Sequence, residues 1–114
     1  MDLDLPNDAD GGAIRRIIND GADLSRPMLV DFQIAAPNEQ AAKKIAELAA
    51  RLGYRTKIYQ DSEDGAWTAE CSTRTLLSYQ TVIAVQAELH MLAEPLGGYI
   101  DGWATFGNHQ TDRI

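Results

Sequence analysis

The chain has 114 residues, with 10 basic and 17 acidic side chains, a net charge of −7 and one cysteine. This length predicts one domain that buries about two-thirds of its unfolded surface without disulfides or metals. The acidic balance opposes non-specific binding to phosphate backbones, and one cysteine excludes an internal disulfide. The first residues are acidic, and no run of roughly 18 apolar residues occurs, so we expect a cytoplasmic protein without a membrane span.

The first regular element is a short helix that follows an irregular start. Asp8 or Asp10 can cap this helix, three isoleucines share one stripe of it, and Gly21 ends it. Gly11 and Gly12 each weaken the helix by up to about 1 kcal/mol relative to alanine. The sequence therefore predicts a frayed first turn.

A strand and a long helix come next. Apolar and polar residues alternate through residues 28–35, which predicts a strand with one buried face. Asn38 is a suitable cap for a helix that ends at Gly53. The predicted apolar stripe of that helix consists of Ala41, Ile45, Leu48, Ala49 and Leu52.

The second half of the sequence predicts a hairpin, a second long helix and a last strand. Residues 54–59 and 66–73 form the two strands of the hairpin, joined by a turn with an Asp-Gly signal. The helix begins at Ser78 or Tyr79, and it ends near residue 93 because Pro95 lacks a donor and clashes one turn back.

The last strand, in residues 97–107, is the most distinctive stretch. Aromatic and β-branched residues alternate there with glycines, which is typical of a strand close to another backbone. One interpretation places Trp103 and Phe106 in the core. In the other, Trp103 lies on the open sheet face and forms an aromatic and acidic patch. The residues that join it there are Tyr99, Asp101 and Thr105. The sequence leaves both registers open.

The element order is a short helix followed by βαββαβ. This order predicts a ferredoxin-like α+β sandwich, with a four-stranded antiparallel sheet and two helices on one face. We expect a single domain over residues 8–107, between a flexible tail at 1–7 and a polar tail at 108–114.

No set of residues predicts an active site. Cys71 with His90 or His109 is the only cysteine–histidine combination, and Cys71 is expected to be a small buried thiol. The histidines lack the spacing of a zinc site, and the acidic turn at 61–65 lacks the ligands of a calcium loop. We therefore predict a protein that is not an enzyme and has neither a metal nor another cofactor.

An RNA-recognition module has the same element order and stacks bases on aromatics of its first and third strands. If the apolar face of the first strand covers the core, its open face carries Asp31 and Gln33. The third strand presents no aromatic residue there, only Thr68, Glu70, Ser72 and Arg74. The sequence therefore argues against direct contact with nucleic acid and favours a protein partner.

Two strings carry a resemblance to a known family. The first is Asp20-Gly21-Ala22-Asp23 ahead of the first strand, and the second is Asp101-Gly102-Trp103-Ala104-Thr105-Phe106 near the C-terminus. Their order and the elements between them make the chain similar to the regulator of ribonuclease activity B (RraB-like) family. This resemblance covers most of the chain.

The resemblance implies a non-enzymatic inhibitor that binds ribonuclease E, the endonuclease that begins bacterial mRNA decay. The candidate partner-binding residues that it implies are Asp20, Gly21, Asp23, Tyr99, Asp101, Gly102, Trp103, Thr105 and Phe106. Local structural roles explain several of them equally well: Gly21 as a helix end, Asp23 as a turn cap and Gly102 as a site of close backbone packing.

One departure from the resembled family concerns the C-terminus. Some members carry a long acidic extension after the last strand, whereas this sequence continues with residues 108–114 alone. The alternative function is an acidic module for another protein partner, such as an immunity or toxin-neutralising protein. If Trp103 and Tyr59 are both exposed on the open sheet face, that face can also form a dimer.

Overall fold

The computed structural model describes residues 5–108. Its elements are α1 (Ala9–Asn19), β1 (Met28–Ala36), α2 (Glu39–Arg51), β2 (Arg55–Gln60), β3 (Trp67–Thr75), α3 (Tyr79–Ala93), a 3₁₀ turn (Glu94–Leu96) and β4 (Tyr99–Thr105). The strands form one antiparallel sheet in the order β2-β3-β1-β4. The predicted ferredoxin-like α+β fold, with a preceding short helix, is confirmed.

Each long helix begins just after a capping residue, which is the predicted Asn38 for α2 and Ser78 for α3. The side chains of Asn38 and Ser78 accept backbone N–H bonds from the third residue beyond, at 2.8 and 3.0 Å. In α1 the cap is Asp8 rather than Asp10, because the Asp8 carboxylate accepts the N–H of Gly11 at 2.8 Å. These bonds satisfy donors that a helix start leaves unpaired.

Gly11 has a packing role that helix propensity does not reveal. A Cβ atom at Gly11 would lie 2.0 Å from the carbonyl oxygen of Pro6, whereas one at Gly12 would meet nothing closer than 4.0 Å. Leu5 packs against the core, and Arg15 donates to the Leu5 carbonyl at 2.7 Å. The described part of the predicted tail therefore lies against α1, and this contact requires a glycine at position 11. Residues 1–4 lie outside the described part of the chain.

The core lies between the sheet and the helices. The alternating residues of β1 are fully buried, and β3 contributes the helix-facing side chains that the sequence predicts. The residues with no exposed surface include Ile14, Val30, Phe32, Ile34, Ile45, Ala69, Cys71, Val82 and Leu89. The predicted stripe of α2 is wrong at one position: Leu52 is 52% exposed, since it caps the helix just before the turn at Gly53.

The chain enters β4 through a tight approach to β1. The regular helix ends at Ala93, as Pro95 predicts, and Gly97 adopts a φ of 81°. A Cβ atom at Gly98 would lie 2.8 Å from the carbonyl oxygen of Ala35, so the backbone at Gly98 lies directly against the backbone of β1. This is the close approach that the glycines of the last strand predict.

Candidate functional site

Trp103 faces the helices rather than the open side of the sheet. It pairs across the sheet with the buried Phe32, and their ring centroids are 6.4 Å apart. Its indole N–H donates to a carboxylate oxygen of Asp10 on α1 at 2.8 Å. This contact fixes α1 against β4, so the structure selects the register in which Trp103 packs on the core.

A bulge in β4 changes the alternation at Asp101. Gly102 pairs with Gln33 and Ile100 with Ile34, so Asp101 is an extra residue without a partner in the ladder. Gly102 has a φ of 140°, but a Cβ atom there would come no closer than 4.0 Å to any group. Gly102 is therefore needed for its backbone conformation, and the predicted close packing at this position is wrong.

Tyr99 lies on the open face of the sheet, opposite the helices. Tyr99 on β4 pairs with Ala35 on β1, Ala35 pairs with Thr68 on β3, and Thr68 pairs with Tyr59 on β2. Tyr99 is 59% exposed and Tyr59 is 41% exposed, with two small side chains between them. Two aromatic side chains therefore stand at opposite edges of one end of the open face.

Two carboxylates accompany these tyrosines. Burial raises the pKa of the Tyr59 hydroxyl, and the nearby charges of Glu70 and Asp101 raise this pKa further. Glu70 is the neighbour of Tyr59 along the open face, and Asp101 is exposed at the bulge. We call Tyr59, Glu70, Tyr99 and Asp101 the open-face patch. It contains two of the predicted site residues and two that the resemblance did not supply.

The open-face patch already holds one cation. The ammonium of Lys57 lies 5.9 Å from the centroid of the Tyr59 ring and 3.9 Å from a carboxylate oxygen of Glu70. An aromatic face beside a carboxylate attracts a cation through the ring quadrupole and through charge. The patch therefore has the chemistry to bind lysine or arginine side chains.

The other predicted residues meet at the end of the molecule where β4 finishes. The Asn108 side chain is 2% exposed, accepts the N–H of Asp23 at 2.9 Å and donates to the carbonyls of Asp23 and Arg26 at 2.9 and 3.1 Å. The sequence places Asn108 in a polar tail, whereas here it joins the two family-resembling strings. Only residues 109–114 of that expected tail lie outside the described chain.

Gly21 and Asp23 have the local roles that the sequence predicts. Gly21 ends α1 with a φ of 105°. The Asp23 carboxylate accepts from the backbone N–H and the hydroxyl of Ser25, at 2.9 and 2.6 Å. These two bonds hold the pKa of Asp23 below its ordinary value. Both residues therefore shape the connector that carries them.

Phe106 is 94% exposed, so its predicted place in the core is wrong. The strand before it is fixed because Thr105 donates to the Leu29 carbonyl at 2.6 Å and accepts from Gly107 at 3.0 Å. Phe106 also lines a hollow of about 200 Å³ together with the exposed Asp20. This end of the molecule thus presents a third exposed aromatic side chain, held between the hydrogen-bonded Thr105 and Gly107.

No hydrogen bond joins Cys71 to His90, the cysteine and the histidine that residues 5–108 contain. Cys71 is fully buried, and desolvation raises the pKa of its thiol to about 11. His90 is about half exposed and lies 3.8 Å from Glu94 on its own helix. No group of three metal-ligating side chains occurs in this described part of the chain, and none of its helices has the length and apolar content to cross a membrane.

Comparisons with known proteins agree with this geometry. A search of curated proteins gave no match. The family model for the regulator of ribonuclease activity B matches residues 7–105, from the start of α1 to the end of β4. The match includes the first string, the second string except Phe106, and every strand of the sheet. The chain therefore belongs to the RraB family, the regulators of ribonuclease activity.

Proposed function

We propose that this protein binds ribonuclease E in the cytoplasm and slows its cleavage of RNA, without catalysing a reaction or contacting RNA itself. The observation that carries this proposal is the family match over residues 7–105. The family supports a regulator of ribonuclease activity that acts on a protein partner; ribonuclease E as that partner is our inference.

The charge of the chain supports a contact with a basic surface. A net charge of −7 on 114 residues attracts positively charged surfaces and repels RNA. A nuclease must present positive charge where its RNA substrate lies, because phosphate contacts supply most of the affinity. An acidic domain bound near that surface competes with RNA for it.

The open-face patch is the surface that we propose for this contact. Lys57 shows which chemistry it accepts, because its ammonium already lies between the Tyr59 ring and the Glu70 carboxylate. The exposed Tyr99 and Asp101 offer the same pair of groups at the other edge, and no basic side chain within residues 5–108 forms an ion pair with Asp101. We propose that an arginine or lysine of ribonuclease E binds there.

The remaining candidate residues take supporting or secondary roles in this proposal. Phe106 and Asp20 form a second contact at the end of β4, since both are exposed beside the same hollow. Gly102 and Trp103 act by setting the bulge and the position of β4. Gly21, Asp23 and Thr105 act by holding the connector and the strand end.

The test is the rate at which purified ribonuclease E from the same organism cleaves a simple RNA, with and without this protein. We expect inhibition that weakens as salt rises from about 50 to 300 mM, because screening reduces the attraction between the two surfaces. The Tyr99→Ser and Asp101→Asn variants should weaken binding about tenfold and about threefold, respectively.

The matched control is Glu39→Gln, which makes the same charge change as Asp101→Asn on the outer face of α2. It should inhibit like the original protein. The proposed function is rejected if the protein neither inhibits nor binds the nuclease at concentrations far above that of the nuclease. Inhibition that survives both patch variants, but not Phe106→Ser, moves the contact to the end of β4.

A further inference from the structure

The open-face patch has two halves, and they differ in whether a cation is already present. In the first half, the ammonium of Lys57 lies 5.9 Å from the centroid of the Tyr59 ring and 3.9 Å from a carboxylate oxygen of Glu70. In the second half, Tyr99 and Asp101 are both exposed, and no lysine or arginine within residues 5–108 forms an ion pair with Asp101. We call these the Tyr59 half and the Tyr99 half.

The register of the sheet places Lys57 within reach of both groups of the Tyr59 half. Lys57 and Tyr59 are two residues apart on β2, so their side chains leave the same face of the strand. Lys57 also pairs directly with Glu70 of β3, and opposite charges in such a cross-strand pair attract each other. The contact therefore forms within the folded sheet and needs no change of the backbone.

The two members of this ion pair differ in exposure. The Glu70 side chain is 17% exposed, whereas the Lys57 side chain is 68% exposed. Withdrawing a carboxylate from water is costly unless a cation or a hydrogen-bond donor faces it. The lysine is held by charge rather than by packing, so its long stem can turn into water without leaving a cavity. Glu70 is thus the fixed part of the Tyr59 half, and Lys57 is the replaceable part.

The carboxylates of both halves act on one group. Glu70 and Asp101 both raise the pKa of the Tyr59 hydroxyl, although they lie on β3 and β4. A basic side chain that approaches the patch therefore meets the field of two carboxylates. Lys57 neutralises one of them, Glu70, and leaves Asp101 to the partner.

We infer that Lys57 is an internal competitor for the cation that the open-face patch binds. Its ammonium fills the Tyr59 half, so a basic side chain of a protein partner binds in the Tyr99 half. Removal of the Lys57 charge opens the Tyr59 half as a second cation site, with an aromatic face beside a carboxylate. Lys57 thereby limits both the number of partner cations and the affinity. This inference rests on the proposed function only for the identity of the partner.

NMR of the full chain, titrated with a tetra-arginine peptide that is acetylated and amidated at its ends, tests this inference. In the original chain the peptide should shift the ring resonances of Tyr99 and leave those of Tyr59 nearly unchanged. In Lys57→Met, which keeps an unbranched stem and removes the charge, the peptide should shift both rings. This variant should also bind the peptide about threefold more tightly, because an exposed ion pair no longer competes.

A second readout separates a local site from a general gain in negative charge. Glu70→Gln should weaken peptide binding about threefold more in the Lys57→Met background than in the original chain, because only there does Glu70 contact the peptide. A long-range effect of charge predicts equal losses in the two backgrounds. The matched control is Lys44→Met, which removes a lysine that pairs with Glu47 at 3.6 Å on α2. The peptide should leave the Tyr59 ring of this control unshifted.

Any of three outcomes overturns the inference: no shift of Tyr99 in the original chain, equal shifts of Tyr59 in the original chain and in Lys57→Met, or equal losses on Glu70→Gln in the two backgrounds. Circular dichroism should show every variant folded. The cleavage assay remains a separate test, because a ribonuclease E that does not bind the protein rejects the proposed function and leaves the peptide titration to decide this inference.

Discussion

The two long helices lie on the same face of the sheet, yet their outer sides differ in kind. On α2 that side carries ion pairs, between Glu39 and Lys43 at 3.5 Å and between Glu47 and Arg51 at 2.8 Å. On α3 it carries the apolar Ile83 and Met91 beside the polar Gln80 and His90. The inner sides of both helices are equally buried. Packing on the sheet therefore explains only the inner side of each helix.

Truncating a buried residue on the inner side of either helix should destabilise the protein by a similar amount. This loss of stability is the largest effect that we expect. Ile45 of α2 and Leu89 of α3 both have no exposed surface. Truncating either residue to alanine should lower the free energy of unfolding by about 2–5 kcal/mol, through lost transfer energy and a cavity. Urea denaturation measures both. A loss below about 1 kcal/mol for Leu89→Ala alone would mean that α3 is not anchored as α2 is.

A second difference is that α3 is hydrogen-bonded to α1. Asp10→Ala removes the acceptor of the Trp103 indole and of the Gln86 amide, so we expect a loss of about 1–3 kcal/mol. The tryptophan emission should also shift to longer wavelength as α1 loosens. Asp20→Ala, on an exposed residue of the same sign, should change neither quantity. Unaltered emission in Asp10→Ala contradicts the role of this contact.

The junction of α1 and α3 should respond to acid. The N–H of Gly11 and the hydroxyl of Tyr79 hold the pKa of Asp8 below its ordinary value of 3.8. A lowered carboxyl pKa gives stability that is complete above the unfolded value and is lost as pH falls through the folded value. The urea midpoint, measured from about pH 6 to pH 2, should therefore fall less in Asp8→Asn than in the original chain.

Tyr79→Phe should remove only part of this acid dependence. It removes one of the two donors to Asp8 and keeps the other, so its acid dependence should lie between those of the original chain and Asp8→Asn. Identical acid dependence in all three proteins contradicts the assignment.

The smallest effects on stability should come from substitutions on the outer sides of α2 and α3. Lys43→Ala breaks an exposed ion pair worth a few tenths of a kcal/mol. Met91→Ser should change stability by less than about 1 kcal/mol, because Met91 is already 75% exposed. Urea denaturation should therefore show only small losses for both variants. A loss of about 2 kcal/mol or more in Met91→Ser would place this residue in the core.

Local signals predicted the elements well. Asn38 and Ser78 cap helices because their side chains reach donors only three residues away. Pro95 ends α3 because it lacks a donor. Alternation through β1 predicted the buried face correctly, since a strand with one covered side must follow a period of two.

The site was predicted less well, because it depends on residues that are distant in sequence. A bulge at Asp101 interrupts the alternation of side chains along β4, and the pairing with β1 determines where this bulge lies. Glu70 joins Tyr99 only through the register of two strand pairs, β3 with β1 and β1 with β4. Asn108 is 85 residues from Asp23, and no local pattern predicts their contact. Phe106 looks apolar enough for the core, but the strand ends before it and leaves it in water.

The sequence by itself determined the order of elements, their caps and ends, the family and the acidic charge, because each depends on neighbouring residues or on a sum over the chain. Only the tertiary structure decided that Trp103 faces α1, that Tyr59 and Tyr99 share an open face, and that one side of α3 is left uncovered. The physical reason is that a residue's own period fixes its side of a strand or helix, whereas the packing of other elements fixes whether that side meets protein or water.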